Sequence, residues 1–147
     1  MTASAQKPDA PRPPLLDWRW VVFSAFLVFV FMTIAAFPFA RAKWLARDLG
    51  GNDAVAAELA ERTLVEVGGR AVFLECLHRA RFSAAPERHR AIRVLGELGI
   101  IAARDYLQSV VDNAEEDEET RALCRVAVVK IDQAQLDRLP DSARRRP

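Results

Sequence analysis

Disulfide chemistry has almost nothing to work with in this sequence. Its two cysteines, Cys76 and Cys124, stand in no pairing motif, which argues against a disulfide-stapled secreted fold. Charge of one sign is lacking too. Lys and Arg number 21 against 20 Asp and Glu, a net charge of +1, so there is no global pull toward nucleic acid. Histidine is limited to His78 and His89. Cys76 and His78 are two apart, so on a helix they point to different faces and make a poor metal pair. No acid, nucleophile and base fall together along the chain, and neither a catalytic centre, a cofactor site nor a metal site is expected. Beyond Asn52 there is no alternating strand pattern of useful length.

What the chain does have is apolar residues, at 51% of 147, concentrated early. The run from Val21 to Ala40 carries no charged residue. About 20 residues at roughly 1.5 Å each reach ~30 Å, the thickness of a hydrocarbon core. The run is apolar on all faces and rich in Phe (Phe23, Phe26, Phe29, Phe31, Phe37 and Phe39), unlike a surface helix of a soluble protein. Trp18 and Trp20 stand at one end and Trp44 at the other, where indoles favour the interface. Arg19 bounds the run before it; Arg41 and Lys43 bound it after. A membrane span over 18–44, with its interfacial flanks, follows. A cleaved signal peptide is the competing reading, with Ala40 and Ala42 as a small-x-small site. It suffers from the length of the apolar stretch and from Pro38 and Arg41 beside the site.

Nothing ionisable lies inside the run, which excludes transport or proton relay by this helix alone. Orientation stays open. Lys7, Arg12 and Arg19 precede the span while Arg41, Lys43 and Arg47 follow it, a tie under the positive-inside rule. The unpaired cysteines lean toward a reducing, cytoplasmic domain.

Pro8, Pro11, Pro13 and Pro14 mark 1–17 as a disordered tail. Gly50-Gly51 ends any helix that leaves the span, and Asn52 or Asp53 caps the next one. From 53 to 139 the sequence reads as helices alone, followed by a basic tail over 140–147.

Within 53–139 the chain resembles itself. Ala91, Val94, Leu95 and Leu98 form an i, i+3, i+4, i+7 stripe ending at Gly99, and Ala103, Tyr106, Leu107, Val110 and Val111 form its partner. A shift of 31 residues backward places Ala60, Thr63, Leu64 and Val67 on the first stripe and Gly68 on Gly99. The helix that follows carries Val72, Phe73, Cys76, Leu77 and Ala80. A shift of 33 forward places Cys124, Ala127, Val128 and Ile131 on the same stripe, and Arg121 on Arg88. A short last helix is expected over Gln133 to Leu139, through Leu136 and Leu139. The reading is therefore three helix pairs in tandem. Gly68 and Gly99 end helices in a left-handed turn, Pro86 lies at a helix start, and Asp117 caps the helix of Arg121. Both cysteines fall on apolar stripes, as core residues do.

The stretch ERHRAIRVLGELGIIAARDYLQSVVD, followed by DEETRALCRVAVVKID, resembles HEAT repeats of the short bacterial kind first associated with phycobilisome lyases. Arg88, Ala91, Leu95, Gly96, Leu98 and Gly99 match that pattern; Val129 and Asp132 stand where the third unit would have its two glycines. The resemblance implies an all-α fold, a short α-solenoid behind a single transmembrane helix, that binds protein partners. It implies neither lyase activity nor a partner's identity.

The arginines Arg79, Arg81, Arg88, Arg90 and Arg93, with the two histidines, form a candidate partner surface for an acidic protein or lipid head groups. The competing reading is a solvated helix face. Glu115 to Glu119 form an acidic run, part of it explained by a helix start.

The leading functional expectation is a non-enzymatic scaffold: a membrane-anchored protein-protein interaction module. Its location would be a bacterial inner (cytoplasmic) membrane, its partners proteins in or at the bilayer, not nucleic acid. The alternative is an accessory structural subunit of a respiratory or photosynthetic complex. A lyase-like enzyme comes third.

Overall fold

The computed structural model describes residues 18–140. The Pro-rich tail and Arg144 to Arg146 lie outside them. Every regular element among the described residues is helical: α1 (Trp18–Ala46), α2 (Ala54–Val67), α3 (Gly69–Phe82), α4 (Glu87–Leu98), α5 (Arg104–Asp112) and α6 (Glu118–Arg138). Short 3-10 turns occupy Arg47–Gly50 and Ile101–Ala103.

The chain divides into two units at Ala35–Ala36. The described part of the first is Trp18–Ala35 of α1. α1 is long and apolar enough to cross a membrane, and none of its most apolar 18-residue window is buried. Trp20 meets Phe23 edge-on at 6.1 Å. The Thr33 hydroxyl donates to the Phe29 carbonyl at 2.9 Å, so the one threonine of the run is satisfied within its own helix.

The second unit holds the core. Its helices start where the side chains supply caps. The Asp53 carboxylate accepts from the Val55 and Ala56 amides at 2.9 and 3.3 Å, and that of Asp117 accepts from the Thr120 amide at 2.7 Å. α2 and α4 end at glycines of positive φ, Gly68 at 56° and Gly99 at 59°, where a side chain would be strained. Leu64, Leu95, Leu107 and Ile131 are fully buried, each worth about 2 kcal/mol of transfer free energy. The core begins before Asp53: Ala42 and Ala46 of α1 and Leu49 of the first 3-10 turn are buried in it.

The helices pair differently from the tandem reading. α2 and α3 follow one another directly at Gly68, yet they do not pack along their lengths, and neither do α4 and α5. The packed hairpins are α3 with α4 and α5 with α6. A lone glycine, Gly68, joins α2 to α3 and is too short to fold one helix back on the other, while the segments 83–86 and 113–117 are long enough to do so. The joint from α4 to α5 is as long as these but is taken up by the 3-10 turn Ile101–Ala103. α4 also packs on α2 and on α6, so α2, α4 and α6 form one row.

The short final helix expected from Gln133 is a correction. α6 runs unbroken from Glu118 to Arg138, so the third unit is one long helix. Val129 and Asp132 occupy the positions of Gly96 and Gly99, and without a glycine to adopt a left-handed turn the helix continues. Leu136 and Leu139 remain exposed.

Candidate functional site

The row of α2, α4 and α6 is tied by side chains that reach from one helix to the next. Arg93 of α4 donates to Glu61 of α2, 32 positions earlier, with Nη2 at 2.8 Å and Nε at 3.2 Å. His89 of α4 meets Thr120 of α6, 31 positions later, at 2.8 Å. Lys130 of α6 pairs with Glu97 of α4, 33 positions earlier. Of the three, the Glu97–Lys130 spacing equals the shift of 33 that aligns the stripes of α4 and α6; the other two lie one and two residues away from the shifts of their helix pairs.

Of the five arginines of the expected partner surface, Arg79, Arg88 and Arg90 are drawn into the domain, while Arg81 and Arg93 stay exposed. Arg88 grips Glu116 with two prongs, at 2.7 and 2.9 Å, and its Nε donates to the Ala80 carbonyl at 3.0 Å. The Tyr106 hydroxyl donates to that same carbonyl at 2.6 Å. Arg90 donates to the carbonyls of Leu49 and Gly51 at 2.6 and 3.0 Å, tying the first 3-10 turn to α4. Arg79 pairs with Glu75 at 2.9 Å and with Glu87. Arg81 lies over the Tyr106 ring at 4.9 Å. The side chains of Arg79, Arg88 and Arg90 are only 15%, 20% and 14% exposed. The hydrogen bonds they donate to Glu116 and Glu61 raise the pKa of Arg88 and Arg93, so both stay charged at any working pH. These side chains tie the helices together.

The acidic run is engaged likewise. Besides Glu116 on Arg88 and Asp117 at the cap, Glu118 pairs with Arg121 at 2.6 Å and Arg125 at 3.0 Å. Glu119 lies 3.5 Å from Nδ1 of His89. Thr120, His89 and Glu119 thus stand in the order of a nucleophile, a base and an acid. The Thr120 side chain is 1% exposed, however, so no substrate reaches its hydroxyl, and the group serves as a buried tie between α4 and α6. Burial pushes the Cys76 thiol up to about 12 and that of Cys124 up to about 11, which keeps both protonated and unreactive. Among the described residues, no three His, Cys, Asp or Glu side chains group as metal ligands.

A concave surface lies between α2 and α4, a groove of ≈ 400 Å³. Val65 and Val94 supply its apolar lining; Glu66, Glu97 and the Glu61–Arg93 pair supply the polar part. The sequence reading missed this groove. Its signal was present in the opposite charges of Glu61 and Arg93, 32 residues apart, and of Glu97 and Lys130, 33 apart. Such charges stand beside one another once α2 and α6 pack on α4.

The span residues Val21, Phe23, Phe26, Phe29, Phe31, Phe37 and Ala40 are all exposed along α1, as are Trp18, Trp20, Arg41, Lys43 and Trp44. Comparison with protein-family models, with characterised proteins and with solved structures finds no match for this chain.

Proposed function

We propose that this chain is a membrane-anchored protein-interaction module, in which α1 spans the bilayer and a short HEAT-like stack presents the groove between α2 and α4 to a protein partner. The observation that carries the reading is the row of α2, α4 and α6, each helix tied to the next by side-chain pairs, Glu61–Arg93, His89–Thr120 and Glu97–Lys130. Stacked repeats present extended surfaces suited to binding proteins. The fully exposed apolar window of α1 supports the anchor, since a contiguous apolar surface of that size needs lipid or protein against it. Anchoring would raise the effective concentration of a membrane-bound partner.

The exposed span also supports a second reading, an accessory subunit whose aromatic helix packs among other spans of a respiratory or photosynthetic complex.

The test is purification of the tagged chain in mild detergent, with mass spectrometry of what accompanies it. Three forms are compared: wild type, a groove variant (Glu66→Arg with Val65→Glu), and a chain whose residues 21–40 are replaced by an unrelated apolar span. Loss of partners in the groove variant alone supports the interaction module. Loss in the span replacement alone supports the accessory subunit. Recovery of the wild type by itself, after cross-linking in cells, would sink both.

A further inference from the structure

Residues 36–46 of α1 belong to the second unit. The apolar run ends at Ala40, and Ala42 is already buried in the core of that unit, 1% exposed. Two residues of helix rise about 3 Å, whereas a head-group layer is on the order of 5–8 Å deep. If Ala40 marks the edge of the hydrocarbon, the packed domain begins inside the head-group layer, with no linker to hold it clear.

α3 lies beside this exit. Lys43 of α1 lines a hollow of ≈ 260 Å³ together with Glu75, His78, Arg79 and Ser83 from the end of α3 and Glu87 of α4. Both acids of the hollow are held by Arg79. Lys43 and Arg41 have no ion-pair partner among the described residues.

The outward face of α3 differs from its neighbours in charge. Its exposed residues are Gly69, Arg70, Leu74, His78, Arg81 and Phe82, with no carboxylate among them. Each of α2, α4, α5 and α6 exposes at least one acid, as at Glu66, Glu97, Asp105 and Glu119. Leu74, His78 and Phe82 follow one another at steps of four, so they form a line along the helix. Phe82 is 74% exposed, its ring 4.9 Å from that of His78. Apolar side chains flanked by arginine on an acid-free face are the pattern of a helix that lies in a membrane interface.

We infer that the outward face of α3 rests on the phospholipid bilayer that α1 crosses. Phe82 enters the boundary between head groups and acyl chains, and Lys43 and the arginines of the face meet the lipid phosphates. The inference rests on the reading of α1 as a span, and it adds a second point of lipid contact, within the domain itself.

The experiment uses the full chain carrying Trp18→Phe, Trp20→Phe and Trp44→Phe, reconstituted in vesicles of phosphatidylcholine and phosphatidylglycerol. One tryptophan at a time is then introduced by Phe82→Trp, Phe31→Trp or Val129→Trp. Its emission is read with lipids brominated either near the head group or near the bilayer centre. Phe82→Trp is expected to lose much of its emission to the shallow bromine and less to the deep one. Phe31→Trp, in the middle of the run, is expected to lose more to the deep one. Val129→Trp lies on the exposed side of α6, which packs on α4 and α5, while the first 3-10 turn packs on α2 and α4. It is expected to lose none to either. Should Phe82→Trp lose helical circular dichroism, His78→Trp carries the same arm. Quenching of Phe31→Trp without quenching of Phe82→Trp overturns the inference and leaves the span standing. No quenching of Phe31→Trp overturns both. Val129→Trp quenched as strongly as Phe82→Trp also overturns the inference, because lipid would then favour no particular face.

Discussion

Gly96 of α4 lies against Ala127 of α6 so closely that a Cβ on the glycine would stand 2.9 Å from the Ala127 Cα and 3.0 Å from its Cβ. The neighbour is backbone, which cannot rotate away, so Gly96→Ala must push α6 off α4. The expected cost is about 1–3 kcal/mol, in the range of core overpacking. At Gly99 two penalties meet. Its φ is 59°, and a Cβ there would stand 2.6 Å from the Ala134 Cβ, so Gly99→Ala is expected to cost about 2–4 kcal/mol. Urea unfolding followed by circular dichroism checks both, and a Gly99→Ala midpoint at or above that of Gly96→Ala would contradict the account.

Arg88 is the tie with most ends, holding Glu116 by two bonds and Ala80 by a third. Arg88→Ala leaves a largely buried carboxylate and carbonyl short of a partner, and a loss of about 2–3 kcal/mol is expected. Arg88→Lys is expected to recover little of it, because one ammonium cannot reproduce a planar fork with a third donor. If Lys restored full stability in urea, the two-pronged geometry would not be the stabilising feature.

Acid sensitivity follows from the cap of α6. Hydrogen bonds from Thr120, side chain first and then backbone, hold the Asp117 carboxyl below its ordinary value of 3.8. A carboxyl whose folded pKa is depressed contributes stability that is present above its unfolded pKa. That contribution is lost as pH falls from there through the folded value. The Arg104 guanidinium depresses Asp132 in the same sense, again from 3.8. The double variant Asp117→Asn, Asp132→Asn is therefore expected to lose less stability than wild type as pH drops below that point. Parallel acid limbs in urea midpoints would show that these two groups do not carry it.

Cys76 and Cys124 are both fully buried, with thiols raised to about 12 and about 11. Neither is expected to react with a thiol reagent at neutral pH while the chain is folded, and both are expected to react at once in denaturant. Stopped-flow labelling checks this, and rapid labelling of either thiol in the folded chain would show that the core opens without global unfolding.

Local signals were legible in the sequence. The apolar run from Val21 to Ala40, the caps at Asp53 and Asp117 and the helix ends at Gly68 and Gly99 all rest on neighbouring residues. The candidate site was legible only in part. The sequence marked the arginines as a cluster, but whether Arg88 faces solvent or Glu116 depends on how α4 meets the segment before α6. The groove between Val65 and Val94 exists only once α2 and α4 stand side by side.

The sequence by itself determined a long apolar helix and a helical remainder, because both follow from backbone preference and from side chains a few positions apart. Tertiary structure alone decided that α3 folds on α4 and α5 on α6, that α6 runs through Asp132 without a break, and that Arg79, Arg88 and Arg90 are spent inside the domain. Those outcomes turn on which distant face lowers the free energy of a given stripe or charge, and one stripe fits more than one neighbour until the whole row is assembled.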